Sequence, residues 1–157
     1  MCFEVWHVNC GRMSEEPPYT GKGKMRLQNQ TNTSLVSLNR SQLVSGVEGD
    51  LELLTTLVEL FGEECPKSVG TIQRAVISGN PRDIEHAAHA IKGMLRALAG
   101  EASGALAERL EQMGRSGDTA GCATIQLELE AAVALFQSEL TTFLEKAKMG
   151  ESLESLL

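Results

Sequence analysis

The sequence predicts an all-α fold, an antiparallel four-helix bundle preceded by a short leading helix. Apolar residues recur at spacings of three and four in four separate stretches, which is the period of an amphipathic helix. Short turn signals separate these stretches, so each helix can bury its apolar stripe only against the others. Only six of the 157 residues are aromatic and all fifteen alanines follow Arg74, a composition that disfavours β-sandwiches and barrels.

Composition divides the chain into three predicted parts. Residues 1–37 are expected to form a flexible leader or linker. Residues 11–37 are rich in Gly, Pro, Ser, Asn and Thr and show no helical or strand period of apolar residues. Residues 38–148 form the predicted bundle, and residues 149–157 form a C-terminal tail. Residues 41–157 carry nine Lys and Arg against eighteen Asp and Glu, an acidic balance that argues against nucleic acid as a partner.

The sequence also bears on location and redox state. No apolar run approaches the roughly 18 residues that a membrane span needs, so no membrane insertion is predicted. The first ten residues contain two polar ionisable side chains and lack a cationic flank, unlike a signal peptide, so the expected location is cytoplasmic. Without C-x-x-C pairing, the four cysteines are expected to be reduced thiols; they are Cys2, Cys10, Cys65 and Cys122.

The first long stretch predicts a helix whose apolar residues run from Val47 to Val76 in one phase. Pro66 interrupts this stretch, so either the helix breaks near Gly62 and restarts, or one helix continues with a kink. The unbroken apolar phase favours one kinked helix. A short leading helix, predicted from Asn39 to Val44, would close one end of the bundle.

The second helix is predicted to start at a turn. Gly79 ends the helix before it, Asn80 can serve as the cap, and Pro81 suits the first helical position. Asp83 is expected to reach back to this cap and to favour the positive end of the helix dipole. The apolar stripe of this helix ends at Gly100 and comprises Ile84, Ala88, Ile91, Leu95 and Leu98.

Two further stretches complete the predicted bundle. The third is expected to stop at a turn from Gly114 to Gly117, and its stripe comprises Ala102, Leu106, Leu110 and Met113. The stripe of the fourth comprises Ile125, Leu129, Val133, Phe136, Leu140, Phe143 and Ala147. Both stripes are predicted to face the core.

One face of the second helix carries residues that suit phosphoryl transfer. At about 100° per residue, His89 lies about 140° from the apolar stripe, and Lys92 and Arg96 follow it on the outward side. A neutral imidazole is a nucleophile near pH 7, and neighbouring cations offset the charge of a phosphoryl group. Gly93 weakens the helix, but its missing side chain leaves the imidazole open to another protein.

The segment from His89 to Gly93 matches H-x-x-K-G and resembles the motif of histidine phosphotransfer (HPt) domains of two-component relays. The resemblance covers about residues 38–147 and extends to the helical order around the motif. It implies that His89 accepts the phosphoryl group, Lys92 steadies it and Gly93 clears space for a receiver domain. The position of Arg96 about two turns after His89 makes it a further phosphate-stabilising candidate, with an ordinary surface charge as the alternative. The supporting features are Phe61 and Pro66 in the long helix, the Gly79-Asn80 turn, and Leu110-Glu111 near the end of the third helix.

The chain departs from the family pattern at three positions after the motif. The family often has small residues directly after its Lys-Gly pair, whereas this chain has Met94 and Leu95. The family also often has a glycine ten positions after the histidine, where this chain has Ala99 and places Gly100 one residue later. These departures leave the His-Lys-Gly core of the motif intact.

The resemblance implies a phosphorelay intermediate that passes a phosphoryl group from the aspartyl-phosphate of one receiver domain to the aspartate of another. The implied partners are response-regulator receiver domains and a hybrid sensor histidine kinase. The receiver would supply Mg²⁺, so the chain is expected to hold no cofactor or metal of its own. The sequence has no nucleotide-binding glycine loop, so phosphorylation of the chain by itself from ATP is not expected.

Other functions stay open on the sequence alone. The chain is alternatively the HPt piece of a larger hybrid sensor kinase or chemotaxis-type kinase, with the leader as the connecting linker. A third function is that of a structural or adaptor bundle with an incidental histidine, because a lone histidine on a helix is usually only a surface residue. A zinc site formed by His86, His89 and a cysteine is disfavoured, because no second ligand pair stands at metal spacing.

Overall fold

The computed structural model describes residues 37–157, so the predicted leader at residues 1–36 lies outside the described residues, as do Cys2 and Cys10. The described part is helical and contains no strand beyond one isolated bridge between Leu38 and Gly100. Its helices are α1 (Arg40–Gly46), α2 (Leu51–Ser78), α3 (Pro81–Ala97), α4 (Glu101–Ser116) and α5 (Cys122–Lys148). The predicted all-α class with a leading helix is thereby confirmed.

The four long helices form the bundle. Each packs against its sequence neighbour, and α2 also packs against α5, which closes the ring around one core. The links between them are only two, three and five residues long, and links this short join antiparallel neighbours. Within the described residues, no helix is both long enough and apolar enough to span a membrane.

The leading helix α1 and the start of α2 are fixed by side-chain caps. The Asn39 side chain accepts a hydrogen bond from the Gln42 amide at 3.1 Å and donates one to Glu101 at 2.6 Å. Helix α2 starts at Leu51 rather than at Val47, because the intervening turn has positive φ angles and Asp50 caps the helix. The caps thus set the first residue of each helix more closely than the apolar period does.

Helix α2 is continuous through Pro66, which confirms the prediction of one long helix rather than two. Pro66 has no amide hydrogen, so the helix loses the hydrogen bond to the carbonyl of Gly62. Burial in the turns directly before the proline offsets this loss. Phe61 and Cys65 are 4% and 1% exposed, and Phe61 meets Phe136 of α5 edge to face at 5.5 Å.

The turn between α2 and α3 is partly as predicted. Gly79 ends α2 with φ 68°, and the Asn80 side chain caps α3 by accepting from the Arg82 amide at 3.1 Å. The prediction that Asp83 reaches back to the cap is wrong. The Asn80 amide donates instead to the Ser78 hydroxyl at 3.3 Å, because that hydroxyl already lies against the turn.

The predicted course of α4 needs two corrections. The helix does not stop at Gly114 but continues to Ser116, with Gly117 in the left-handed region as its C-cap. The predicted stripe is also slightly out of phase, since three of its four members are only partly buried. The buried line contains mainly small side chains: Ser103, Gly104, Ala107, Leu110, Glu111 and Gly114.

The link between α3 and α4 is held by the backbone. Ala99 has a φ of 58°, a left-handed conformation that costs a non-glycine residue roughly 1–2 kcal/mol. This is the position at which the resembled family often has glycine. The Asn39 amide donates to the Ala99 carbonyl at 3.0 Å, and this bond ties the start of α1 to the strained link.

The predicted stripe of α5 is confirmed, because all seven of its members are buried. Residues 149–157, set apart above as a C-terminal tail, include a 3₁₀ turn at Leu153–Leu156. Leu153 and Leu156 are each 8% exposed and belong to the main hydrophobic core. The end of the described chain is therefore packed on the bundle.

Candidate functional site

Helix α3 presents His89 to solvent. The apolar stripe of α3, which includes the fully buried Ala88 and Ile91, faces the core and fixes the rotation of the helix about its axis. The side chain of His89 is 71% exposed as a result, in agreement with the helical phase of the sequence. The Nδ1 atom faces α4, where it lies 2.9 Å from Oε1 of Glu111.

Glu111 is the centre of the site, although the sequence points to it only through the Leu110-Glu111 pair and indicates no chemical role for it. Its side chain is only 4% exposed. Oxygen Oε1 lies 2.9 Å from both His89 Nδ1 and an Arg115 guanidinium nitrogen, while Oε2 accepts from Lys92 Nζ. One buried carboxylate therefore joins three basic side chains from two helices, as buried charges require.

These partners keep Glu111 ionised. The hydrogen bond from Lys92, followed by that from His89, lowers the pKa of Glu111 to about 2 and outweighs burial, which acts in the opposite direction. An ionised carboxylate only accepts hydrogen bonds, so the proton of a neutral His89 lies on Nδ1. Nitrogen Nε2 then carries the free lone pair.

Lys92 does not lie on the open surface where the helical wheel places it. Its side chain is only 15% exposed and turns into the seam between α3 and α4 to reach Glu111. The outward position predicted from the helical period is wrong for Lys92, because a buried carboxylate attracts its long, flexible side chain inward. Lys92 is nevertheless joined to His89 through the same carboxylate.

Arg96 lies outside this group of side chains. Its guanidinium donates to Glu108 of α4 at 2.8 Å, and both side chains of this pair are substantially exposed. Arg115, which the sequence analysis did not single out, occupies the rim instead. It bridges Glu111 and Glu85, with 3.0 Å between its Nε and Oε1 of Glu85, one turn before His89.

The helix face beside His89 is open. A Cβ atom at Gly93 would meet nothing within 4 Å, so no other part of the described chain covers this position. His86 lies on the other flank of α3, in a groove against α2 that includes Arg74 and Ser78. The two histidines, three residues apart, thus have different neighbours, and only His89 joins Glu111.

The helical order and this site agree with a comparison against protein families. Residues 56–147, more than half of the chain, match the family model of the Hpt domain. The chain belongs to the Hpt domain family. Comparisons with curated proteins and with solved structures gave no match.

Hpt domains carry out histidine phosphotransfer in two-component phosphorelays and interact with receiver domains. The matched segment of this Hpt domain includes α3 and α4, and with them the three basic side chains that pair with Glu111. The contacts of His89 with Glu111 and its exposure can therefore be considered in relation to histidine phosphotransfer.

The buried cysteines of this Hpt domain lie apart from the histidines. Cys65 and Cys122 are free and 1% exposed, and burial raises the pKa of the Cys65 thiol to about 11. Among residues 37–157, no three His, Cys, Asp or Glu side chains lie close enough together to hold a metal ion.

A signal for the missed residues is present in the sequence of α4. Gly104, Ala107, Glu111 and Gly114 follow one another at spacings of three, four and three. Small residues at helical spacing allow two helices to approach closely, and an acidic residue within such a line needs basic partners. Because its members are small or charged, this line does not form part of an apolar stripe.

Proposed function

We propose that this Hpt domain carries a phosphoryl group on Nε2 of His89. The group arrives from the aspartyl-phosphate of a receiver domain and leaves to the aspartate of another receiver. One observation carries the proposal: the imidazole is 71% exposed while its Nδ1 faces the buried carboxylate of Glu111. That contact orients the ring and leaves Nε2 open to an incoming protein.

The transfer step balances without a separate base. The lone pair of Nε2 forms the new N–P bond as the P–O bond to the receiver aspartate breaks, and the electron pair leaves on that carboxylate. The ring keeps its Nδ1 proton and becomes positively charged. Glu111 faces this charge at Nδ1, and its fixed position stabilises the product without rearrangement.

Lys92 supplies positive charge next to the reacting group. Its contact with Glu111 holds the ammonium one turn after His89, and phosphoryl transfer depends mainly on positioning and charge neutralisation. The receiver would bring the aspartate and Mg²⁺, and Gly93 would leave room for its approach. A hybrid sensor histidine kinase is the proposed source of the phosphoryl group.

The test is transfer of labelled phosphate from phosphorylated receiver domains. We expect an acid-labile, base-stable phosphate on the wild-type chain, mapped by mass spectrometry to His89. His89→Gln should abolish labelling. The melting temperature should change little, because the ring is exposed and the glutamine amide can still donate a hydrogen bond to Glu111.

His86→Gln is the matched control, since His86 is exposed on the same helix but lies outside the Glu111 group. It should retain transfer. Labelling that persists in His89→Gln would overturn the site. A wild-type chain that takes no label from any phosphorylated receiver would favour the adaptor bundle instead.

A further inference from the structure

The backbones of α3 and α4 lie in close contact at Gly114. A Cβ atom at this position would come within 2.5 Å of the Glu85 amide nitrogen, 2.7 Å of the Pro81 carbonyl oxygen and 2.9 Å of the Glu85 Cα. All three atoms are backbone, so no side-chain rotation can make room. Any side chain at residue 114 would therefore push the two helices apart.

This contact lies next to the side chains of the site. Glu111 is one turn before Gly114 on α4, and Arg115 directly follows it. On α3, Glu85 is one turn before His89. The position of Glu111 relative to His89 is thus set about one turn away, where the two backbones touch.

The contact between His89 and Glu111 tolerates only a small displacement of α4 relative to α3. Moving a Cβ at residue 114 from 2.5 Å to an ordinary contact of 3.4 Å requires about 0.9 Å of helix displacement. The distance between His89 Nδ1 and Glu111 is 2.9 Å, and hydrogen bonds of this kind seldom exceed about 3.2 Å. A displacement of that size at the site would break the contact.

We propose that Gly114 is a positioning residue for phosphotransfer: its missing side chain lets α4 approach α3 closely enough for Glu111 to hold His89 and Lys92. The proposal rests on the proposed function of His89. It assigns the glycine a role in orienting the nucleophile that is separate from the open surface at Gly93.

Gly104→Ala is the matched control for Gly114→Ala. Both glycines are buried in α4, but a Cβ at Gly104 would meet only Cγ of Arg96, at an ordinary 3.5 Å. We expect Gly104→Ala to keep the wild-type transfer rate. Gly114→Ala should lower the rate by about tenfold or more, since small displacements of reacting groups have effects of that size.

Nitrogen-15 NMR of the His89 ring reports which ring nitrogen carries the proton, a property that a loss of stability alone would not change. The wild type and Gly104→Ala should show the neutral ring protonated at Nδ1, whereas folded Gly114→Ala should lose that preference. If Gly114→Ala does not fold, the measurement is repeated with added Gly62→Ala, a helix-favouring change at a position where a Cβ meets nothing within 4 Å.

The outcomes separate this proposal from the function on which it rests. A folded Gly114→Ala variant with wild-type tautomer and rate overturns the role of Gly114 and leaves phosphotransfer at His89 intact. A double variant that stays unfolded also overturns it, because Gly114 is then needed for the fold as a whole. Absence of label on the wild type would instead refute the proposed function.

Discussion

Replacing Glu111 by glutamine should lower the free energy of unfolding by an amount that depends on pH. The pKa of this carboxyl is about 2 in the fold against an ordinary 4.5, a difference that corresponds to on the order of 3 kcal/mol. Glutamine keeps the shape of the side chain but loses the charge, and its amide group opposes one of the three donors. At pH 7, Glu111→Gln should therefore lower the free energy of unfolding by up to about this amount.

The sign of the pH dependence follows from the lowered pKa. Above about pH 5 the carboxyl is ionised in both states and its full contribution is present. As the pH falls from 4.5 towards 2, the unfolded chain takes up the proton first, so the contribution of Glu111 declines. The difference in stability between wild type and Glu111→Gln should thus shrink steadily over this range.

Urea unfolding at pH 7, 5.5, 4 and 3 measures this difference. Glu108→Gln is the control, because Glu108 also pairs with a basic side chain across α3 and α4 but is 40% exposed. Its effect should stay within about 0.5 kcal/mol at every pH. A Glu111→Gln deficit that is equally large at pH 7 and pH 3, or that Glu108→Gln reproduces, would refute the reasoning.

Two further predictions concern α3. Gly93→Gln should stabilise the helix by roughly 0.5–1 kcal/mol, because the position is open, yet weaken receiver binding and transfer by obstructing the approach to His89. Titration calorimetry against a cognate receiver tests it, and equal affinity with equal transfer rates would contradict it. Asn80→Ala should cost about 1 kcal/mol in urea unfolding through loss of the helix cap. Its transfer rate should stay unchanged, and unaltered stability would show that the cap contributes nothing.

The helices could be predicted because each one has a period or a boundary signal of its own. Gly79, Asn80 and Pro81 set the start of α3, and the apolar period then fixes which residues turn inward. His89 faces outward for the same reason. These properties depend on one helix at a time, and the sequence of that helix is sufficient to predict them.

The arrangement around Glu111 could not be predicted in the same way, because it depends on how two helices meet. Hydrophobic patterning favours Leu106 and Met113 as buried residues of α4, but both are only partly buried. The buried residues of α4 include Gly104, Ala107 and Gly114, and Glu111 lies among them. A charged residue in this position becomes understandable only when the partner helix supplies His89 and Lys92.

The register of α3 against α4 also explains why Lys92 and Arg96 differ in burial and in their acidic partners. Lys92 pairs with Glu111 and Arg96 with Glu108, so the later residue of α3 meets the earlier residue of α4, as antiparallel helices require. The Lys92 pair is buried, whereas the Arg96 pair is exposed, and exposed ion pairs separate at a cost of about 1 kcal/mol or less. Lys92 is therefore held beside His89 before any partner arrives, while Arg96 can leave Glu108 for an approaching protein. In the proposed phosphotransfer, the fixed cation would act on the phosphoryl group at His89, and the releasable one would be available to contact the receiver domain.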